Sequence, residues 1–177
     1  MQNLTFLDGA FMLAAYLLGA FNSAITLSKI MGFADPRSEG SNNPGATNVM
    51  RIAGKKAAAL TLLIDVLKGL LPVLLAQYLL QAPFYIALTG IAAFLGHCYP
   101  LYYDFRGGKG VATAIGFILA FHWPSGLAVV AIWLIVAIMR NVTKALPEAR
   151  GLLQPADPAT PYTEREERLQ FELARVT

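Results

Sequence analysis

Five apolar segments, separated by short polar ones, dominate the first part of the chain. They cover residues 7–31, 57–80, 83–103, 111–122 and 125–139. An α-helix needs about 20 apolar residues to cross the hydrocarbon core of a bilayer. The fourth segment is short enough to be tilted, re-entrant or half buried, and the break at Trp123-Pro124 also allows the last two segments to form one bent feature. The pattern therefore predicts an all-α, polytopic transmembrane helix bundle with about five spans.

Residues 140–177 differ from the rest of the chain because charged and polar side chains are dense there. Prolines between residues 155 and 161 discourage regular structure. Thr163 followed by Glu166 fits a capping box, a pairing that marks the start of a helix. We therefore predict two domains: a transmembrane domain at residues 1–139 and a polar tail at residues 140–177, which holds a linker and a short amphipathic helix.

The positions of lysine and arginine predict the orientation of the chain. Cytoplasmic segments of membrane proteins carry an excess of these residues. Here they lie in the polar segments at residues 32–56 and 104–110 and at the start of the tail, whereas the links at residues 81–83 and 122–125 have none. All basic segments therefore fall on one side. We expect the N-terminus to lie outside, and both basic segments and the polar tail to lie in the cytoplasm.

Composition narrows the class of protein further. Of the 177 residues, 56% are apolar and 14% are charged, whereas soluble domains carry about 25% charged residues. A soluble globular protein, a disordered chain and a disulfide scaffold are therefore excluded. One cysteine and two histidines make a poor metal site, so neither a metal nor a cofactor is expected. The net charge of +3 gives no reason to expect nucleic acid as a partner.

The first polar motif, residues 40–51, is suited to binding phosphate. Its glycines, Gly45 among them, allow backbone N–H groups to approach an oxyanion closely. The side chains that can donate hydrogen bonds or a planar guanidinium fork are those of Ser41, Thr47, Asn48 and Arg51. The alternative is a polar turn whose serine and asparagine cap the next helix.

The glycine-rich motif, residues 105–113, places a lysine among glycines at the start of an apolar helix. The residues concerned are Gly107, Gly108, Lys109 and Gly110. Helix N-termini attract anions through free N–H groups and the helix dipole. The motif is not a Walker A loop, since glycine rather than serine or threonine follows the lysine, so a nucleotide is not implied. The alternative is a flexible hinge whose lysine extends to the membrane interface.

Two ionisable residues, Asp65 and Lys68, lie inside the second apolar segment on one helical face. Such groups usually face the interior of a membrane bundle and pair with each other. They form either a structural pair or one wall of a site that faces the two motifs. A small anion transporter is a further alternative for the function of the protein.

His97, at the end of the third segment, is either a buried histidine bonded to backbone or, like Asp65, a candidate general base.

Three stretches of the sequence together resemble a known family. They read Gly-Ser-Asn-Asn-Pro-Gly-Ala-Thr-Asn-Val-Met-Arg at residues 40–51, Asp-Val-Leu-Lys-Gly at residues 65–69, and Gly-His…Pro…Phe-Arg-Gly-Gly-Lys-Gly-Val-Ala-Thr within residues 96–113. These are similar to the motifs of the acyl-phosphate-dependent glycerol-3-phosphate acyltransferases, the bacterial integral-membrane enzymes that open phospholipid synthesis. The resemblance extends from about residue 10 to about residue 125.

The resemblance implies a reaction and a location. The 1-hydroxyl of sn-glycerol 3-phosphate would attack the carbonyl of a fatty acyl phosphate, giving lysophosphatidic acid and phosphate. The protein would be a multi-pass protein of the bacterial cytoplasmic (inner) membrane, with its active-site loops facing the cytoplasm. Its expected partners are the two substrates and the lipid bilayer, and the acyl-phosphate-forming enzyme is a further candidate.

The resemblance also implies roles for individual residues. Ser41, Arg51 and Lys109 match the functional positions of the family and are the expected catalytic residues. Phosphate or substrate binding is expected of Gly45, Thr47, Asn48, Gly107, Gly108, Gly110, Asp65, Lys68 and His97. An acyl phosphate is already activated, so no nucleophile from the enzyme is obligatory. The resemblance also favours a phosphate oxygen of the donor as the group that takes the hydroxyl proton.

The C-terminal part departs from the family pattern. Members of the family continue with a further apolar helix and an Arg-His…Asn element that contributes to the active site, whereas residues 140–143 here read Arg-Asn-Val-Thr. We therefore expect a chain that lacks the usual C-terminal part. This leaves open an alternative function, namely a truncated or diverged, non-catalytic membrane protein that retains phosphate or lipid binding.

Overall fold

A computed structural model describes residues 5–80 and 82–152, together with residues 166, 170, 171 and 174. The described residues are helical or lie in turns and loops, and none of them forms a strand, which confirms the all-α prediction. The helices are α1 (Phe6–Ala20), α2 (Ser23–Met31), α3 (Ala46–Leu79), α4 (Pro83–Cys98), α5 (Val111–Phe121) and α6 (Trp123–Leu152), with a short 3-10 helix at Leu101–Tyr103. The chain divides within α6, after Val130, into two compact units.

Several helices have the length and composition to cross a membrane. Within the described residues, three pass that test: Ala46–Leu79, Pro83–Tyr103 and Trp123–Arg140. The pair α1 and α2 passes as a fourth, although it is bent by 41°. The remaining apolar helix, α5, is shorter than a usual span. The membrane class of the protein is confirmed, while the number of five spans and the orientation stay predictions.

The first apolar segment forms two helices rather than one straight span. α1 ends at Ala20 and α2 begins at Ser23. Asn22 lies between them in extended backbone, and its Oδ1 accepts a hydrogen bond from the N–H of Ile25 at 3.1 Å. Asparagine is a preferred N-cap because its side chain satisfies an N–H that the helix leaves free. A polar residue inside the apolar segment therefore starts a new helix.

The second helical region begins earlier than the second apolar segment. α3 starts at Ala46, but Gly54 interrupts it with φ 79° and ψ −175°. Glycine adopts positive φ at little steric cost, so the chain can turn sharply there. Val49, before the break, packs in one buried cluster with Ala57 and Ala58 after it. Part of the polar segment expected at residues 32–56 is therefore a short helix that lies against the body of the bundle.

Small residues let two pairs of helices approach closely. A Cβ atom at Gly19 of α1 would overlap the backbone of Ala93 in α4, and one at Gly96 would overlap the backbone of α1. Gly69 of α3 and Gly116 of α5 are packed in the same way against each other's helices. Membrane helices rely on such contacts, since lipid gives little hydrophobic drive for helices to associate. The pairs α1–α4 and α3–α5 are the principal helix contacts of the bundle.

The last helix, α6, runs through the predicted boundary at residue 139. α5 ends at Phe121, and His122 lies between the two helices in extended backbone, with its Nδ1 atom 2.8 Å from the Ser125 hydroxyl. The fourth and fifth apolar segments are therefore separate helices. α6 then continues to Leu152, and the division of the chain into a transmembrane domain and a polar tail stays a prediction. The capping box predicted at Thr163 lies outside the described residues.

Candidate functional site

A buried asparagine holds loop 1 (residues 32–45) in shape. The side chain of Asn48, in the first turn of α3, is only 1% exposed. Its Nδ2 group donates to the carbonyl oxygens of Pro36 and Glu39, both at 2.9 Å. Its Oδ1 atom accepts from the backbone N–H of Ser41, also at 2.9 Å. The two amide hydrogens and the carbonyl oxygen of the Asn48 side chain therefore all form hydrogen bonds with the backbone of loop 1.

In contrast to Asn48, the predicted phosphate-binding side chains of Ser41, Thr47 and Arg51 are exposed. Thr47 and Arg51 are four residues apart in a helix, so they share one face. The helix starts after Gly45, and no side chain among the described residues caps its first N–H groups. Free N–H groups at a helix start are suited to an anion. The start of α3 thus presents a hydroxyl, a guanidinium and backbone donors to solvent.

Loop 2 (residues 99–110) leads from the end of α4 to the start of α5. Asp104 and Phe105 have φ values of 53° and 58°, which turn the chain back. Gly110, with φ 77°, is the N-cap of α5. As a glycine, it has no side chain that could accept a hydrogen bond from the first N–H groups of the helix. Lys109 stands directly before it and is exposed. A cation therefore lies next to a second helix start, where backbone donors and the helix dipole also favour an anion.

Arg37 joins the two loops. Its guanidinium carbon lies 6.0 Å from the centre of the Tyr103 ring, within the range of a cation–π contact. The same guanidinium binds Asp35, with Nη2 at 2.8 Å from Oδ2. Hydrogen bonds from Arg37 hold the pKa of Asp35 below its usual range, and the carboxylate in turn raises the pKa of Arg37. Loops 1 and 2 therefore lie at the same end of the bundle.

Asp65 is the centre of a buried polar cluster. Its Oδ1 atom accepts a hydrogen bond from the Ser23 hydroxyl at 2.8 Å and lies 2.9 Å from Nζ of Lys68. Lys68 also donates to the backbone carbonyl of Phe21 at 2.9 Å. Ser23, Asp65 and Lys68 are each less than 5% exposed. The spacing in sequence predicted the Asp65–Lys68 pair, and the structure adds its two further partners.

The break between α1 and α2 explains why these charges can be buried. Lys68 binds the carbonyl of Phe21, which is the C-cap of α1 and the end of a helix that attracts cations. Asp65 binds Ser23, the first residue of α2 and the end of a helix that attracts anions. Each charge therefore faces the helix end of opposite sign. The pair stabilises the break, and the break supplies a backbone carbonyl to Lys68 and a hydroxyl group to Asp65.

His97 connects the buried cluster to loop 2. Its side chain is 5% exposed, and its Nδ1 atom lies 3.6 Å from Oδ1 of Asp65, slightly beyond hydrogen-bonding distance. No other described group offers that nitrogen a hydrogen bond. The backbone carbonyl of His97 accepts a hydrogen bond from the N–H of Gly108 at 3.2 Å. The end of α4 thus carries the glycine-rich loop directly.

Most of the predicted site residues that have side chains fall into two groups. The exposed group at the two loops consists of Ser41, Thr47, Arg51 and Lys109. The buried group beneath loop 2 consists of Asp65, Lys68 and His97. Asn48 belongs to neither, since it is buried within loop 1. The roles of these residues in binding and catalysis stay predictions.

Sequence reasoning missed Ser23, the Phe21 carbonyl and the joining role of Arg37. The pair Asn22-Ser23, two polar residues in the middle of an apolar segment, was the available signal for the first two. It indicates a helix start inside the membrane segment, and a helix start next to a buried Asp–Lys pair favours contact between them. The contact of Arg37 with Tyr103 joins residues far apart in sequence, so no local pattern could indicate it.

The fold and the two loops define a helical membrane protein that presents cations beside helix N-termini at one end of its bundle. The family described as glycerol-3-phosphate acyltransferase matches residues 9–146. The chain belongs to this family of membrane acyltransferases. The match confirms the resemblance that the three motifs indicated.

Curated relatives agree with this assignment. The glycerol-3-phosphate acyltransferase of Methylococcus capsulatus is 50% identical over 141 residues, which are 80% of this chain and 71% of the relative. That of Thioalkalivibrio sulfidiphilus is 51% identical over 149 residues, covering 84% of this chain and 73% of the relative. That of Legionella pneumophila strain Philadelphia 1 is 53% identical over 125 residues, but these are only 45% of its length.

Solved structures show a similar fold. The crystal structure of PlsY, an integral membrane glycerol 3-phosphate acyltransferase, in its glycerol 3-phosphate form superposes with a TM-score of 0.71 at 38% identity. The match covers 75% of this chain and 66% of that one. The lysophosphatidic acid form of the same enzyme gives a TM-score of 0.68, again at 38% identity, and covers 73% and 64%. This chain therefore spans about two thirds of the structures it resembles.

Proposed function

We propose that the chain transfers a fatty acyl group from an acyl phosphate to the 1-hydroxyl of sn-glycerol 3-phosphate. The products are lysophosphatidic acid and phosphate. The chain lies in the cytoplasmic membrane of a bacterium, and loops 1 and 2 face the cytoplasm. The names of the relatives support this activity. The PlsY structures in a glycerol 3-phosphate form and a lysophosphatidic acid form also support it.

One observation carries the proposal: Arg37 of loop 1 lies over Tyr103 of loop 2. The contact joins the two loops that lead into cation-bearing helix starts: loop 1 precedes α3, which carries Arg51, and loop 2 ends with Lys109 before α5. Both substrates of the reaction carry a phosphate. Two helix starts, each with free N–H groups and a cation, are suited to bind one phosphate each.

The chemistry needs no nucleophile from the protein. The substrate hydroxyl oxygen forms an ester bond to the acyl carbon, and the bond from that carbon to the phosphate oxygen breaks. Phosphate leaves with the electron pair, and the hydroxyl proton passes to a phosphate oxygen. Arg51 and Lys109 stabilise the negative charge that develops on the leaving phosphate and on the carbonyl oxygen. Ser41 donates a hydrogen bond that orients one of the phosphate groups.

Binding both reactants next to each other lowers the barrier further, because a reaction between two molecules becomes effectively unimolecular. Glycerol 3-phosphate arrives from water, whereas the acyl phosphate has a long apolar chain. Large apolar side chains are exposed along α3 and α4, where lipid surrounds the bundle. The acyl chain can therefore stay in the bilayer while its phosphate reaches loop 2. The acyl-phosphate-forming enzyme is the partner that supplies this donor.

The direct test is turnover of labelled glycerol 3-phosphate by purified protein in detergent or liposomes, with fatty acyl phosphate as donor. Lys109→Ala should lower kcat/KM by about 100-fold or more, the usual effect of removing one group that stabilises a developing charge. Lys29→Ala is the matched control, because Lys29 is also an exposed lysine but lies at the end of α2. Its activity should equal that of the wild type.

The outcomes separate the proposal from its alternative. Lysophosphatidic acid formation that depends on Lys109 and on acyl phosphate supports the transferase. Calorimetric binding of glycerol 3-phosphate without turnover would identify a non-catalytic protein that retains phosphate binding. A protein that neither binds nor turns over glycerol 3-phosphate would refute both functions for this chain.

A further inference from the structure

The imidazole of His97 lies between the buried cluster and the glycine-rich loop. Its Nδ1 atom lies 3.6 Å from Oδ1 of Asp65. A Cβ atom at Gly108 would overlap the ring atoms Nε2 and Cε1 and lie close to Cδ2. The ring therefore fills the space that a side chain at position 108 would need.

The conformation of Gly108 does not itself demand glycine. The glycines with positive φ in the described part of the chain are Gly32, Gly40, Gly54 and Gly110. Gly108 is not among them, so its backbone is one that other residues adopt. Lack of room against His97 is the reason why a larger residue does not fit. Gly107 is restricted differently, because a Cβ there would meet the backbone carbonyls of His97 and Cys98.

The carboxylate that faces the imidazole is held by groups on three helices. Asp65 is held by Lys68 of its own helix α3, at 2.9 Å, and by Ser23 of α2, at 2.8 Å. Lys68 is bound in turn to the carbonyl of Phe21 at the end of α1. The ring itself is carried by α4. A shift of α4 therefore moves the surface on which loop 2 rests, and a shift of Asp65 changes the group that Nδ1 of the ring faces.

We propose that His97 is a positioning residue that sets the location of Lys109 through direct packing of its imidazole on Gly108. The hydrogen bond from the Gly108 N–H to the His97 carbonyl, at 3.2 Å, fixes the same step of the loop. Lys109 follows immediately in sequence. The histidine ring is thus by itself a sufficient reason for glycine at position 108. This inference rests on the proposed function only for the consequence in catalysis.

A double-mutant cycle tests the packing. Gly108→Ala introduces the Cβ that overlaps the ring. His97→Asn removes the ring atoms that the new Cβ would meet, while its amide nitrogen occupies roughly the place of Nδ1 beside Asp65. A displacement of about 1 Å can cost 100-fold in rate. We expect Gly108→Ala to lower kcat/KM about 100-fold, and the double variant to regain at least 10-fold of that loss.

Gly107→Ala is the matched control. Its obstacle is main chain, which His97→Asn leaves in place. The histidine substitution should therefore rescue Gly108→Ala and fail to rescue Gly107→Ala. Equal rescue of both variants, or no rescue of Gly108→Ala, would overturn the proposal.

Two readouts separate positioning from simple structural support and from failure of the proposed function. In His97→Asn alone, the KM for one of the two phosphorylated substrates should rise about 10-fold in the folded protein, because Lys109 loses its support. A purely structural role would lower the yield of folded protein and leave this KM unchanged.

Thermal unfolding of the same variants in detergent measures the interaction energy between positions 97 and 108 and needs no enzymatic turnover. Additive changes in Tm would refute the packing, whether or not the chain is an active transferase.

Discussion

At the scale of single residues, side chains of similar chemistry have different tasks in the first polar motif. Ser41 and Thr47 are exposed, whereas Asn48, from the same motif, is buried and bonded to the loop backbone. The residue types suited to phosphate could be read from the sequence. The direction in which each side chain points could not, because it depends on how loop 1 folds back over the first turn of α3.

Asn48→Ala should disorder loop 1. It leaves the buried carbonyl of Pro36 without its hydrogen-bond donor, which costs about 1–3 kcal/mol. The Ser41 N–H also loses its acceptor, whereas the Glu39 carbonyl keeps the N–H of Asn42. We expect a lower Tm in detergent and a loss of activity that follows from displacement of Ser41. Asn42→Gly is the control, since Asn42 is exposed and its φ of 54° suits glycine. An Asn48→Ala protein with wild-type Tm and KM would contradict this role.

At the scale of helices, close packing and buried charge determine the arrangement. The apolar pattern correctly indicated helices in all five segments, but it did not indicate the breaks at Asn22 and Gly54. Both breaks depend on contacts with other parts of the chain. The first is stabilised by Asp65 and Lys68, and the second allows Val49 to pack on the later part of α3. Hydropathy is a local average, so it does not record such contacts.

Two glycines of α1 offer a matched test of helix packing. A Cβ at Gly19 would overlap the backbone of Ala93 in α4, whereas a Cβ at Gly9 would meet nothing within 4 Å. Gly19→Ala should destabilise the protein by about 1–3 kcal/mol through overpacking. Gly9→Ala should be neutral or stabilising by up to about 1 kcal/mol, because alanine favours a helix. Thermal unfolding in detergent measures both, and equal effects would contradict the close α1–α4 contact.

The buried ion pair gives a second test at this scale. Lys68→Met leaves the Asp65 carboxylate buried without its cation, which costs about 3–5 kcal/mol in known cases. Adding Asp65→Asn should recover part of the loss, since the uncompensated charge is then gone. Lys56→Met serves as the control, because Lys56 is an exposed lysine of the same helix. A double variant less stable than Lys68→Met alone would show that the two residues are not coupled as described.

At the scale of the whole molecule, contacts between distant parts of the chain bring loops 1 and 2 to one end of the bundle. Loop 1 and loop 2 meet through Arg37 and Tyr103, and loop 2 rests on the end of α4 through His97. The positions of basic residues predict that this end faces the cytoplasm. The links at residues 81–83 and 122–125 are then expected on the other side.

Cysteine labelling tests this orientation. Cys98 is the single cysteine of the chain, so Cys98→Ala provides a background without thiols. Ser38→Cys in loop 1 should react with a membrane-impermeant maleimide in inverted vesicles and not in right-side-out vesicles. Ser125→Cys, at the start of α6, should show the reverse, and both serines are exposed. Labelling of the two positions from the same side would contradict the predicted topology.

The sequence by itself determined the membrane class, the helical segments and the residue types of the two motifs. These are local properties: a run of apolar residues or a glycine beside a lysine has the same physical meaning wherever it lies in the chain. The tertiary structure decided which groups meet. The carbonyl of Phe21 is satisfied by Lys68, Asn48 is turned into loop 1, and the ring of His97 occupies the space beside Gly108. Such contacts depend on distances between residues remote in sequence, which only the packing of the helices fixes.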